Sequence, residues 1–134
     1  MIINFSVFGW AAFLLLAGCT STGSVGLAEG QGQALSSANF VLAKPSIFLS
    51  EKSARVSGTV CRKPNRALIS PSHVEIDHLR ADHSLIDRTL VYLPPLPRRA
   101  DQRCGNYSGT TSSIVAPDDV IRVCIARGSK ACPA

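Results

Sequence analysis

Arg55-Val56-Ser57-Gly58-Thr59-Val60-Cys61 puts Val56, Gly58 and Val60 on one side of an extended chain and Ser57, Thr59 and Cys61 on the other. A period of two, carried by β-branched residues, reads as a strand with one face in a core. Gly58 in its middle points to a bulge or a close approach of a neighbour. On the N-terminal side, Phe40-Val41-Leu42 and Ile47-Phe48-Leu49 flank Pro45 and read as a Pro-interrupted edge strand. On the C-terminal side, residues 62–72 hold two prolines and an Asn and read as a loop, with a short strand at Ala67-Leu68-Ile69.

Beyond the loop, residues 73–81 and 84–93 flank Asp82-His83 as the arms of a hairpin, with Val74 and Ile76 turned to the core. Residues 94–103 form a Pro/Arg connection that cannot lie inside a sheet. Two further strands, 106–115 and 120–126, surround the turn Ala116-Pro117-Asp118-Asp119, and Ile121, Val123 and Ile125 share one face of the second. Nothing repeats, and no stretch after residue 20 has helical periodicity. Roughly six or seven short strands with Pro/Gly/Asp turns define an all-β chain, a small antiparallel β-sandwich. It resembles immunoglobulin-like or fibronectin-like sandwiches in architecture only, because the sole Trp, Trp10, lies outside the strand region.

The first 18 residues are of another kind. None is charged, and 5–17 is almost wholly apolar. That length suits the hydrophobic region of a signal peptide, whereas a spanning helix needs about 20 apolar residues. The run ends in Leu16-Ala17-Gly18-Cys19, which resembles the lipobox of bacterial lipoproteins. The resemblance implies diacylglycerol on the Cys19 sulfur, cleavage before Cys19, and acylation of the new amine. Two or three acyl chains hold a protein at a membrane where one binds only marginally. Thr20 stands where family members kept at the inner membrane often carry Asp. The resemblance therefore implies the outer membrane, facing the periplasm. The segment lacks the Lys or Arg usual before such a run, so either that charge is dispensable or the true start lies upstream.

This divides the chain into a signal peptide (1–18), a lipidated cysteine and flexible tether (19–39), and a sandwich domain (40–134). Residues 20–39 are rich in Ser, Gly, Ala, Thr and Gln, with Glu29 the one acid. As a coil they would span roughly 25 Å. All 14 Lys/Arg and 9 Asp/Glu lie beyond residue 18, so the mature part keeps the whole net charge of +5. Such a basic exported domain suits acidic envelope components, such as phosphates of lipid or polysaccharide, or an acidic face of a protein complex. Nucleic acid is excluded by compartment and by the lack of a recognition helix.

With Cys19 assigned to lipid, Cys61, Cys104, Cys124 and Cys132 are expected to form two disulfides, for which three connectivities exist. Cys124 and Cys132 are symmetric about Gly128, so a turn there pairs them and leaves Cys61 with Cys104. The second bridge would gather Arg62, Lys63 and Arg66 with Arg98, Arg99 and Arg103, beside the single acid Asp101. These six are the candidate partner-binding residues.

His73, Glu75 and Asp77 share a strand face and are a minor metal-ligand candidate, although a solvent-facing polar stripe is the plainer expectation. There is no phosphate loop, nucleophile elbow or paired carboxylate constellation, so neither an enzyme nor a cofactor is expected. The leading expectation is a non-enzymatic envelope lipoprotein that binds a partner through its basic loops. The alternatives are a secretion-system pilotin or assembly factor, and a periplasmic metal-binding protein or enzyme inhibitor. Ser57-Gly58-Thr59-Val60 resembles one group of small β-sandwich pilotins. The charge of +5 opposes inhibition of a basic lysozyme.

Overall fold

The structure is a computed structural model that describes residues 26–27, 31–64, 70–99, 103–126 and 132. The lipobox, the signal segment, Ala67-Leu68-Ile69, Arg66, Asp101 and Gly128 lie outside them. The described strands are β1 (Gly26–Leu27), β2 (Gly32–Leu35), β3 (Phe40–Leu42), β4 (Ser46–Leu49), β5 (Ala54–Arg62), β6 (His73–Leu79), β7 (Leu85–Tyr92), β8 (Cys104–Thr110) and β9 (Val120–Ile125). They form two sheets of a small all-β sandwich. One contains β1, β4, β5, β3 and β8, and the other runs β2-β9-β6-β7.

β5 is the spine of the first sheet. β8 pairs with it antiparallel from Arg55↔Thr110 to Cys61↔Cys104. Its opposite edge is shared by β4, paired with Ala54 to Ser57, and β3, paired with Val60 to Arg62. The two pieces are one strand path broken at Pro45, which supplies no N–H to a ladder. Val56 and Val60 are fully buried, as the alternation requires. Between them Gly58 stays in register with Tyr107, so the position is a close approach and not a bulge. A Cβ there would collide with the Tyr107 phenol. Gly109 does the same for the facing sheet, since a Cβ would lie 2.8 Å from Ile76 Cδ1. The strand expected over 106–115 ends at Thr110, and its Thr111 hydroxyl instead accepts from Ala54 N at 2.9 Å.

The hairpin forms as expected. Every pair from His73↔Tyr92 to His78↔Asp87 is symmetric about Asp82-His83, and the register shifts only between His78 and Leu79. His83 takes φ 66° in the turn, where Asp82 Oδ1 accepts from Ser84 N at 2.9 Å. β6 lies between β7 and β9, with Val74 and Ile76 beside Ile121 and Val123 on the core-facing side of the same sheet.

Two expectations are corrected here. Gly32–Leu35, inside the stretch read as tether, is a strand, and Gly26–Leu27 pairs with β4. The sandwich therefore begins before residue 40. β2 also runs parallel to β9, from Gly32↔Ile121 to Leu35↔Cys124, so the sheets are not wholly antiparallel. Gln31 fixes this register by donating from Nε2 to the carbonyls of Ala116 and Pro117, each at 2.8 Å. The composition of β2 hides it, because its partner is about ninety positions away and only Ala34 packs against the core.

Candidate functional site

Two disulfides are present, Cys61–Cys104 and Cys124–Cys132, with Cα separations of 4.0 and 5.9 Å. The first joins directly opposed residues at the end of the β5–β8 ladder. Around it the two basic segments converge. Arg62 N donates to Arg103 O at 2.9 Å, and Arg62 Nη1 donates to Pro97 O at 3.1 Å. Leu96, beside Pro97, is buried, and a Cβ on Gly105 would lie 2.7 Å from it. The Pro/Arg connection is thus pinned into the core next to Cys104 rather than arching freely over the surface. Ser70 completes the hold, its hydroxyl accepting from Leu96 N at 3.0 Å.

The six candidate basic residues fare differently. Arg98 and Arg99 are exposed, and Lys63 and Arg103 are half-buried at the same end. Arg62 is only 5% exposed, so its role is to brace the connection, and this corrects its assignment as a contact residue. Of its terminal nitrogens, Nη1 is occupied by the chain that it holds, which offsets part of the cost of burying the guanidinium. Arg66 lies outside the described residues.

The His73/Glu75/Asp77 stripe is also corrected. Glu75 and Asp77 are 4% and 0% exposed, so no solvent-facing polar stripe exists on β6. β6 is the central strand of its triplet, and each side supplies an arginine at Asp77. Arg88 donates from Nε to Asp77 Oδ1 at 2.8 Å, and Arg122 donates from Nη2 to Oδ2 at 3.1 Å. Burial alone would raise the Asp77 carboxyl. The hydrogen bonds and charges of Arg88 and Arg122 outweigh it and hold the group below the usual carboxylate range.

Glu75 shares Arg88 with Asp77 and takes a second partner of its own. Its Oε1 lies 3.0 Å from Arg88 Nε and accepts from Cys132 N at 3.0 Å. His73 stays apart, with Nδ1 3.0 Å from Ser72 Oγ and its ring edge-on to Tyr92 at 5.9 Å. The three do not close into a ligand set. Glu75 instead joins Cys124 and Cys132, with carboxylate and sulfur atoms all within 4.8 Å of one another. Hairpin symmetry about Asp82-His83 could have revealed the Asp77–Arg88 pair in the sequence. The Glu75–cysteine group had no such local signal.

A second buried polar pair ties β6 to the turn before β9. His78 Nε2 is 2.8 Å from Asp119 Oδ2, and a carboxylate only accepts, so Nε2 carries the proton. The same Oδ2 accepts from Ala116 N at 2.8 Å, closing the turn expected at 116–119. On the outer face of the first sheet, Ser46, Ser57, Thr59, Asn106 and Ser108 line a shallow polar groove.

No protein-family model matches the chain, and no curated protein or solved structure matches it either.

Proposed function

We propose that the chain is a non-enzymatic cell-envelope lipoprotein. Cys19 carries the lipid anchor, and the sandwich docks an acidic envelope partner through the basic residues around Cys61–Cys104. The supporting observation is the position of the Pro/Arg connection. Leu96 and the Arg62–Pro97 hydrogen bond fix it beside the bridge, so that Arg98 and Arg99 project from a braced support next to Lys63 and Arg103. Exposed cations on a fixed backbone lose less side-chain and loop entropy on meeting phosphates or carboxylates than cations on a mobile loop.

The test is photo-crosslinking in cells from positions 63, 98 and 99, followed by mass spectrometry of the captured species. One acidic protein, or an anionic lipid or polysaccharide, captured at all three positions supports the docking reading. No capture above that from an exposed control position such as Thr110 counts against it. Cys19→Ala is expected to abolish fatty-acid labelling and membrane fractionation, and survival of both would remove the lipoprotein assignment.

A further inference from the structure

Glu75 lies on the central strand β6, opposite Cys124 on β9 in the ladder register, and Cys132 is covalently held to Cys124. All three are buried, Cys124 and Cys132 at 3% and 7% exposure. Through Oε1 the Glu75 carboxylate already holds the Cys132 backbone and pairs with Arg88, while the bridged sulfurs offer it neither a proton nor a charge. When the bridge opens, the same carboxylate stands beside two thiols as a third ligand.

We propose that Cys124, Cys132 and Glu75 form a redox-gated zinc site, closed while the disulfide stands and competent once it is reduced. The chemistry balances with a dithiol as reductant. One thiolate of the dithiol attacks a sulfur of the bridge, and its second thiol displaces the mixed disulfide. Two electrons and two protons pass to Cys124 and Cys132 while the dithiol becomes a disulfide. A divalent cation then replaces the two thiol protons, which leave to solvent.

Geometry and charge both favour zinc. Tetrahedral zinc with two sulfurs, one carboxylate oxygen and a water as fourth ligand places its protein ligand atoms about 3.5–3.8 Å apart, inside the observed 4.8 Å limit. The reduced sulfurs must move apart to about that distance, which side-chain rotation provides. Glu75 Oε1 is engaged by Arg88 and by Cys132 N, which leaves Oε2 to coordinate while Oε1 orients the carboxylate. Glu75 and Asp77 are already balanced by Arg88 and Arg122. Two thiolates with one divalent cation add no net charge to this buried group, whereas a monovalent cation would leave an excess negative charge. Thiolate donors select soft or borderline ions, and zinc is the divalent ion that satisfies both conditions. This inference stands independently of the docking reading, since it uses none of the basic residues around Cys61–Cys104.

Cobalt(II) serves as the spectroscopic probe, added to the purified full chain after reduction with a phosphine, which does not compete for the metal as a dithiol would. The expected result is one equivalent of cobalt with a thiolate-to-cobalt charge-transfer band, bleached by one equivalent of zinc and missing from the oxidised chain. Cys124→Ser/Cys132→Ser abolishes the band, and Glu75→Gln weakens cobalt binding at least about tenfold, the low end of what losing even an outer-shell partner costs. A band that persists in the double serine variant belongs to other cysteines and overturns the site. So does a reduced wild-type chain without a band, or an unchanged affinity in Glu75→Gln. Far-ultraviolet circular dichroism covers loss of the fold on reduction. Zinc restores the strand spectrum of the wild type but not of the double serine variant if the site exists, and failure to restore it overturns the site equally.

Discussion

Asp77 and Arg88 face each other across the β6–β7 ladder, with Arg88 Nε 2.8 Å from Asp77 Oδ1 and Nη2 3.3 Å from Oδ2. The carboxylate is fully buried, while the Arg88 side chain keeps 35% of its surface in solvent. Asp77 therefore sits at the inner end of a pair whose outer end is wet, with Arg122 closing its other side at 3.1 Å.

Replacing Asp77 by Ala strands the buried Arg122 and leaves Arg88 with Glu75 alone, and the cost is expected to be about 3 kcal/mol, the low end for a broken buried pair because Arg88 keeps Glu75 and can hydrate. Arg88→Ala is expected to cost less, since Arg122 still compensates Asp77 and Cys132 N still donates to Glu75. Urea denaturation of both variants checks the order. A larger loss for Arg88→Ala would show that Arg122 does not compensate Asp77.

The acid limb of stability follows from the same group. The Asp77 carboxyl is depressed, and so is that of Asp119, where burial is outweighed by hydrogen bonds from Ala116 and His78. Asp87 is held down by its hydrogen bond from Ser112. A carboxyl depressed on folding stabilises fully above its unfolded value, about 3.9, and that contribution is lost as pH falls through the folded value. Stability is therefore expected to hold from pH 7 to about 5 and to fall progressively below about pH 4. Asp77→Asn should flatten part of this limb, and an unchanged slope between pH 5 and 2 would contradict the assignment.

Tyr107 offers a gain. Its phenol is buried against Gly58, its hydroxyl meets no hydrogen-bond partner among the described residues, and burial pushes its pKa up to about 12. Tyr107→Phe removes an unsatisfied polar atom without changing the packed ring. It is expected to stabilise the fold by about 1 kcal/mol. A loss of stability in thermal melts would mean that the hydroxyl has a partner after all.

The two bridges should differ in strength. Cys61–Cys104 closes a span of 43 residues and Cys124–Cys132 a span of 8. Loop-closure entropy assigns them about 4 and about 2.5 kcal/mol. Paired Cys→Ser variants measured by chemical denaturation should rank in that order. Removing Cys61–Cys104 should also weaken capture from position 98, because the bridge locates the braced connection.

The alternation in β5, the hairpin about Asp82-His83 and the turn at 116–119 were legible because each is a local pattern whose partners lie within a few residues. The same locality misled elsewhere. The His73/Glu75/Asp77 alternation correctly marks a strand with these side chains on one face. Whether that face is wet depends on what crosses it, and Arg122 and Cys132 come from far along the chain. Gly32–Leu35 was hidden for the same reason, since a parallel edge strand is held by its ladder and by the Gln31 side chain rather than by its own composition.

By itself the sequence determined the fold class, the hairpin and the number of cysteines available for bridging, because strand periodicity and turn chemistry are properties of neighbouring residues. Only the tertiary structure decided which polar side chains are buried. It turned Arg62 from a surface cation into a brace, divided Asp77 between two arginines, and set Glu75 against Cys124 and Cys132. Burial is a relation between distant segments, and the free energy of a charged group depends on that relation far more than on its neighbours in sequence.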